Sequence, residues 1–165
     1  MKIEITPNVL TKDECQLLID ETNPKENGTP QPYHTIDTYD HNFKKVSCID
    51  HPLILDLIER EAIKGVELAG VLYYPIGSYN SEHTDNSSIV NGVVTRIKNW
   101  THTVVIFLND QYTGGKLVYP KQGCEISPTI GTMVIASADI DHPHYVTKIE
   151  NGERYTLVLR IVCPI

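Results

Sequence analysis

The sequence predicts a mainly β protein with helices at its N-terminus, built as an antiparallel sandwich or jelly roll. Two patterns carry this. From residue 66 onward, short apolar runs rich in β-branched and aromatic residues alternate with turn signals. Before residue 66, two stretches show helical spacing instead. The 165 residues, 41% of them hydrophobic and 21% charged, suit one domain with a sizeable core.

Thr11 to Glu14 spells Thr-x-x-Glu, a capping box in which each side chain serves the other's backbone N–H. It opens a helix through about Thr22, with Cys15, Leu17, Leu18 and Ile19 on its apolar side. Asn23 to Tyr39 is rich in Pro, Gly, Asn and Thr and predicts a long loop. Pro52, behind Asp50, suits a first helical turn. Leu53, Ile54, Leu57 and Ile58 then recur at helical spacing to about Ala62. The expected strands are Val66–Tyr74, Thr103–Leu108, Lys116–Tyr119, Thr132–Ala136, Tyr145–Ile149 and Tyr155–Val162. Asn86 to Asn99 is a second polar insert, placed to act as a lid. The expected organisation is a single domain over 1–165, a helical layer at about 1–65 and a β core at about 66–163.

The formal net charge of -7 argues against generic nucleic-acid binding, which needs a basic surface. Cysteines 15, 48, 124 and 163 lack Cys-x-x-Cys spacing and are expected as buried or free thiols. The N-terminus has no apolar h-region. No apolar run approaches the roughly 18 residues of a membrane span. A soluble, reducing, cytoplasmic setting is the expectation.

Chemistry concentrates at His83-Thr84-Asp85 and at the distant His144. On an extended segment side chains alternate, so His83 and Asp85 share a face. With a second histidine from another strand they form the ligand set of a 2-His-1-carboxylate triad. Such a triad holds Fe(II) on one face and leaves the other open to a co-substrate and dioxygen. A His-x-Asp pair alone is more often a solvated hydrogen-bonded pair, so the neighbours of His144 matter. Arg154 stands ten residues on, at the head of the apolar run Arg-Tyr-Thr-Leu-Val-Leu-Arg. A charge in an apolar strand is costly unless paired. The distal carboxylate of a dicarboxylic acid would pair it in a bidentate fork.

These residues carry a resemblance. The chain resembles the prolyl 4-hydroxylase branch of the Fe(II)/2-oxoglutarate oxygenases. The matching motifs are Tyr74-Pro-Ile-Gly77, His83-Thr-Asp85, Thr103-Val-Val-Ile-Phe-Leu-Asn109-Asp, Gly114-Gly115-Lys-Leu-Val-Tyr-Pro120, Ile126-Ser-Pro128-Thr-Ile-Gly131 and Pro143-His144-Tyr-Val146, followed by Ile149, Gly152 and Arg154. The match covers most of residues 66–162. It implies a double-stranded β-helix. His83, Asp85 and His144 match the iron ligands, and Arg154 matches the residue that pairs with the 5-carboxylate of 2-oxoglutarate. Tyr73 or Tyr74 matches a tyrosine lining that pocket, and spacing does not choose between them. His142 shares its parity with His144, but the Val146, Ile149, Gly152 and Arg154 spacing counts from His144. His34, His41, His51 and His102 lie in loops or at element ends, outside the ligand set.

The chain departs from the family pattern twice. Phe107 stands where relatives often place a phenol, which leaves Thr156 to supply a hydroxyl. Arg160 stands where relatives commonly carry tryptophan. It shares a face with Arg154 and could meet the 1-carboxylate, the substrate or a buried acid. An arginine at this offset is also similar to that of the alkylation-repair oxygenases, which keeps a base-modifying enzyme as an alternative. A non-catalytic jelly-roll binding module and a cupin-like metalloenzyme are further alternatives. The resemblance implies Fe(II), 2-oxoglutarate and O2 as cofactors, ascorbate as a reductant, and a prolyl residue in a peptide or protein as substrate. It implies hydroxylation with release of succinate and CO2. The oligomeric state is not legible.

Overall fold

The computed structural model describes residues 2–31 and 43–163. In chain order the elements are β1 (Glu4–Thr6), α1 (Lys12–Thr22), α2 (Pro24–Asn27), β2 (Thr29–Pro30), β3 (Lys44–Ser47), α3 (Pro52–Arg60), β4 (Val66–Tyr74), β5 (Asn80–His83), β6 (Ser87–Val90), β7 (Val93–Arg96), β8 (His102–Phe107), β9 (Thr113–Gly114), β10 (Leu117–Tyr119), β11 (Cys124–Ile126), β12 (Met133–Ser137), β13 (His144–Val146), β14 (Ile149–Asn151) and β15 (Arg154–Ile161). The fold is mainly β with few helices. No helix among the described residues is long and apolar enough to cross a membrane.

The capping box at α1 is formed in full. Glu14 N–H donates to Thr11 Oγ1 at 3.1 Å and Thr11 N–H donates to Glu14 Oε1 at 3.0 Å. At α3 the cap is His51 rather than Asp50, its Nδ1 accepting from Leu53 N–H at 3.1 Å. Arg60 then ties α3 back to α1, donating to the Val9 carbonyl and pairing with Glu14.

Seven strands form one sheet in the order β1-β12-β8-β15-β4-β3-β2, and four form a second in the order β11-β10-β13-β5. Strand periodicity divides the large sheet into two faces. On β15, Tyr155, Leu157, Leu159 and Ile161 pack with Cys15 and Leu18 of α1 and Ile54 and Leu57 of α3. The alternate residues Arg154, Thr156, Val158 and Arg160 point to the other face. There, Tyr74, Val105, Phe107, Val134 and Ala136 pack against Leu117, Tyr119, Ile126 and Val146 of the small sheet. The polar side chains of β15 therefore sit between the two sheets, where solvent is scarce.

Four expectations need correction. The Asn23–Tyr39 loop contains α2 and β2 in its described part, because Pro24 starts a helical turn and the next residues pair with β3; residues 32–42 lie outside the described residues. The run Tyr145–Ile149 is broken into β13 and β14, which join different sheets. The insert after Asp85 is a hairpin of β6 and β7 turned by Asn91 and Gly92, both at positive φ as a two-residue turn requires. Its strands expose Ile89, Val90, Val93 and Val94, so it is less polar than expected. Finally, β1, β3, β5, β9 and β11 were not foreseen, being short pieces without strong apolar alternation.

Candidate active site

His83 closes β5 and His144 opens β13, and the two are direct partners across the small sheet. The β5–β13 register slips between this pair and Asn80–Val146, so β5 carries an extra residue. Such a bulge re-aims side chains. His83 and Asn80 both end up turned toward the interior. The imidazole centroids of His83 and His144 lie 4.4 Å apart.

Asp85 lies past the end of β5, so strand alternation does not place it. Two side chains of the large sheet do. Thr103 Oγ1 donates to Asp85 Oδ2 at 2.6 Å, and Arg160 Nη1 approaches the same oxygen at 2.6 Å. Arg160 Nη1 also donates to Thr103 Oγ1 at 2.7 Å, closing a triangle. The carboxylate is almost fully buried, with His83 Nε2 at 3.5 Å from Oδ1 and His144 Nε2 at 3.6 Å from Oδ2. One ligand atom from each of the three residues lies within 4.8 Å of the others, an arrangement that could hold a metal ion.

The protonation states suit that role. His83 Nδ1 is 2.7 Å from the Ser81 carbonyl and His144 Nδ1 is 3.1 Å from the His142 carbonyl. A carbonyl only accepts, so each Nδ1 carries a hydrogen, and each Nε2 is the ring nitrogen turned to the cluster. Burial pushes His144 down to about 4, against the pull of Asp85, so its imidazole is neutral near pH 7. Burial alone would raise the Asp85 carboxyl. The Arg160 guanidinium and the two imidazoles outweigh it and hold the group well below the usual carboxylate range.

Arg154 occupies a second polar site on the same face of β15. Its guanidinium lies over the Tyr74 ring at 4.7 Å and the Phe107 ring at 5.6 Å. Phe43 stacks on Tyr74 at 4.6 Å. Arg154 Nη1 donates to Thr156 Oγ1 at 3.4 Å, and no carboxylate pairs with Arg154 among the described residues. Its Nε and the neighbouring Tyr112 hydroxyl are buried without hydrogen-bond partners. Burial pushes that phenol up to about 12, against the opposing pull of Arg154. Gly115 makes the packing possible: a Cβ there would sit 2.6 Å from Ile149 Cδ1, 2.8 Å from Tyr112 Cε2 and 3.1 Å from Arg154 Cδ, at a φ of +64°.

Of the eight residues singled out from the sequence, His83, Asp85 and His144 converge, and Tyr74, Arg154 and Thr156 form the second site. Tyr73 is a correction. It lies on the opposite face of β4, packs against Tyr155 and donates to Glu153 Oε1 at 3.1 Å, because neighbours on a strand point apart. Of the three partners open to Arg160, the 1-carboxylate, the substrate and a buried acid, it meets the buried acid Asp85. His142 stays out of the metal cluster and meets Asp139 Oδ1 at 2.7 Å. Two residues went unforeseen. Tyr112 places a phenol beside Arg154 from the loop before Gly114-Gly115, where periodicity gives no direction. Thr103 could have been found as the one hydroxyl in β8, at the head of the apolar run Val104–Phe107 and in register with Arg160.

Comparison with known proteins agrees with this geometry. Residues 69–161 match the family model described as the 2OG-Fe(II) oxygenase superfamily. No curated protein matches the chain. Among solved structures, the viral collagen prolyl hydroxylase of Paramecium bursaria Chlorella virus-1, in its 2OG complex, superposes with a TM-score of 0.76 at 16% identity, covering 98% of this chain and 96% of that one. A Trichoplax adhaerens prolyl hydroxylase, in complex with a hypoxia inducible factor oxygen degradation domain peptide fragment, gives 0.75 at 17% identity, covering 97% and 83%. A Pseudomonas putida prolyl-4-hydroxylase gives 0.66 at 16%, covering 98% and 93%. At these identities the likeness is one of fold.

Proposed function

The chain belongs to the 2OG-Fe(II) oxygenase superfamily, and from that premise we propose that it hydroxylates a prolyl residue in a peptide or protein. Membership makes it a 2-oxoglutarate-dependent dioxygenase that uses Fe(II), 2-oxoglutarate and O2. In this reading the chain forms a single oxygenase domain with a double-stranded β-helix core.

His83, Asp85 and His144 would hold Fe(II) through two neutral imidazole nitrogens and one carboxylate oxygen, a donor set that suits the metal. Arg160 and Thr103 both engage Asp85 Oδ2, which leaves Oδ1 available to the ion. Arg154 and Tyr112 would hold the 5-carboxylate of 2-oxoglutarate. Among the described residues the buried guanidinium has no acid and the buried phenol beside it has no hydrogen-bond acceptor, and one carboxylate satisfies both. Thr156 accepts from the guanidinium and steadies it, and Tyr74 fixes its plane by stacking. Together Fe(II), 2-oxoglutarate and O2 supply oxidative chemistry that releases succinate and CO2 and puts one oxygen atom into a C–H bond. The protein orients the co-substrate at one end and keeps the site shielded between two sheets.

The observation that carries the reading is the buried Arg154, which has no acid among the described residues, beside the Tyr112 hydroxyl. The base-modifying alternative loses its main support, since Arg160, which raised it, is engaged by Asp85. The test is succinate formation from 2-oxoglutarate with Fe(II), scored with a panel of proline-rich peptides for a mass gain of one oxygen. His83→Ala, Asp85→Ala and His144→Ala should each abolish it. Succinate formed equally by all three variants would sink the proposal.

A further inference from the structure

A cavity of about 260 Å³ opens beside the triad, with His83 and Asp85 on its wall. Its charge is opposite to that of the chain. The protein carries a net -7, yet Lys45, Lys98 and Arg160 all line this space. Among the described lining residues Asp85 is the one acid, and it is taken by Arg160. Clefts of one sign with low-dielectric walls concentrate ligands of the other sign.

The cations are held in place. Lys45 lies across Gly70, where a Cβ would come within 2.9 Å of its Cγ and Cδ, so the glycine makes room for the lysine stem. Burial first, and the nearby Arg160 second, push the Lys45 ammonium down. Lys98 sits over the Trp100 ring at 5.5 Å and Arg160 over the same ring at 5.0 Å. Trp100 is itself fixed by Nε1–H donating to Glu67 Oε2 at 3.0 Å. Neither Lys45 nor Lys98 forms an ion pair among the described residues.

We propose that the substrate presents a carboxylate to Lys45 and Lys98 in this cavity, close to the carbon that is oxidised. The inference rests on the oxygenase reading above and narrows its substrate class. Two ammonium point charges, lacking the planar fork of a guanidinium, accept a carboxylate in many orientations. It can come from an Asp or Glu beside the target residue in a peptide, or from the α-carboxylate of a small amino acid.

Trp100 is the chain's single tryptophan and stands in the cavity wall, so its fluorescence reports binding without metal or turnover. Capped proline peptides that differ only in one residue beside the proline (Glu, Gln or Lys) are titrated into the metal-free protein, alongside free proline and its amide. The Glu peptide should bind about tenfold more tightly than the Gln peptide and the Lys peptide worst, with the advantage shrinking in salt. That order assigns an acidic side chain. Preference only for free proline over its amide assigns the α-carboxylate. A Lys45→Glu/Lys98→Glu variant, shown folded by circular dichroism, should reverse the order. Equal binding of the Glu and Gln peptides together with equal binding of proline and its amide overturns the inference, and needs no variant. Succinate formation by the unmodified protein with Fe(II) and 2-oxoglutarate is scored separately. Its absence defeats the oxygenase reading; its presence without any charge preference defeats this inference alone.

Discussion

Arg160 and Asp85 form a buried ion pair at 2.6 Å that joins the large sheet to the loop following β5. Its position behind the candidate metal ligand makes it both a structural tie and a support for the site. Removing one member of a buried pair leaves the other charge uncompensated, at a cost of about 3–5 kcal/mol. Partners that orient a metal ligand are worth roughly 10–100-fold in metal affinity. Arg160→Ala should therefore lower the urea midpoint of the metal-free protein and weaken Fe(II) binding within that range. If midpoint and affinity both match the unmodified protein, Arg160 does not support Asp85.

Arg154 and Tyr112 predict a graded loss of 2-oxoglutarate affinity with the metal retained. Truncating a buried charged partner of a carboxylate costs about 2–5 kcal/mol, so Arg154→Ala should weaken binding at least about 30-fold. Tyr112→Phe removes one hydrogen bond worth about 1 kcal/mol and should weaken it roughly fivefold. Calorimetric titration of 2-oxoglutarate into the metal-loaded protein measures both. Unchanged affinity in Tyr112→Phe would take the phenol out of the site.

What could be read from sequence follows the reach of each physical rule. Alternation over the eight residues of β15 placed Arg154 and Thr156 on the inner face, because a long paired strand holds its parity. The same parity puts Tyr73 and Tyr74 on opposite faces, but only the register with β15 tells which one meets Arg154. Asp85 was found for an incomplete reason. Its convergence with His83 comes from Thr103 and Arg160, which are distant in sequence, and not from strand geometry. Tyr112 was missed since its direction is set by a turn and by the space that Gly115 leaves. The short strands β5 and β11 are held by neighbours in the sheet more than by their own propensity.

His142 and His144 offer a discrimination that periodicity could not. His144 Nε2 faces Asp85, while His142 turns its Nδ1 to Asp139. His144→Ala should weaken metal binding by more than the roughly 10–100-fold expected of a supporting partner. His142→Ala should keep metal affinity within that supporting range, because the His142 carbonyl that accepts from His144 survives the substitution. Metal titrations of the two variants decide it, and the reverse ranking would move the ligand to His142.

Alkaline stability should report the two buried thiols of the helical layer. Burial pushes Cys15 and Cys48 up to about 11 from an ordinary value of 9.0. Above pH 9 the unfolded chain releases these protons while the folded chain keeps them. The unfolded state then binds fewer protons, so stability falls as pH rises from about 9 to about 11. Each thiol accounts for about 2–3 kcal/mol by the top of that window. Urea midpoints from pH 8 to pH 10.5 should decline, and less steeply in Cys48→Ala. Cys163 is exposed and should react with iodoacetamide at pH 8 in the folded protein, whereas Cys15 and Cys48 react only after unfolding. Equal labelling of all three in the folded protein would show that the layer opens far more readily than its packing implies.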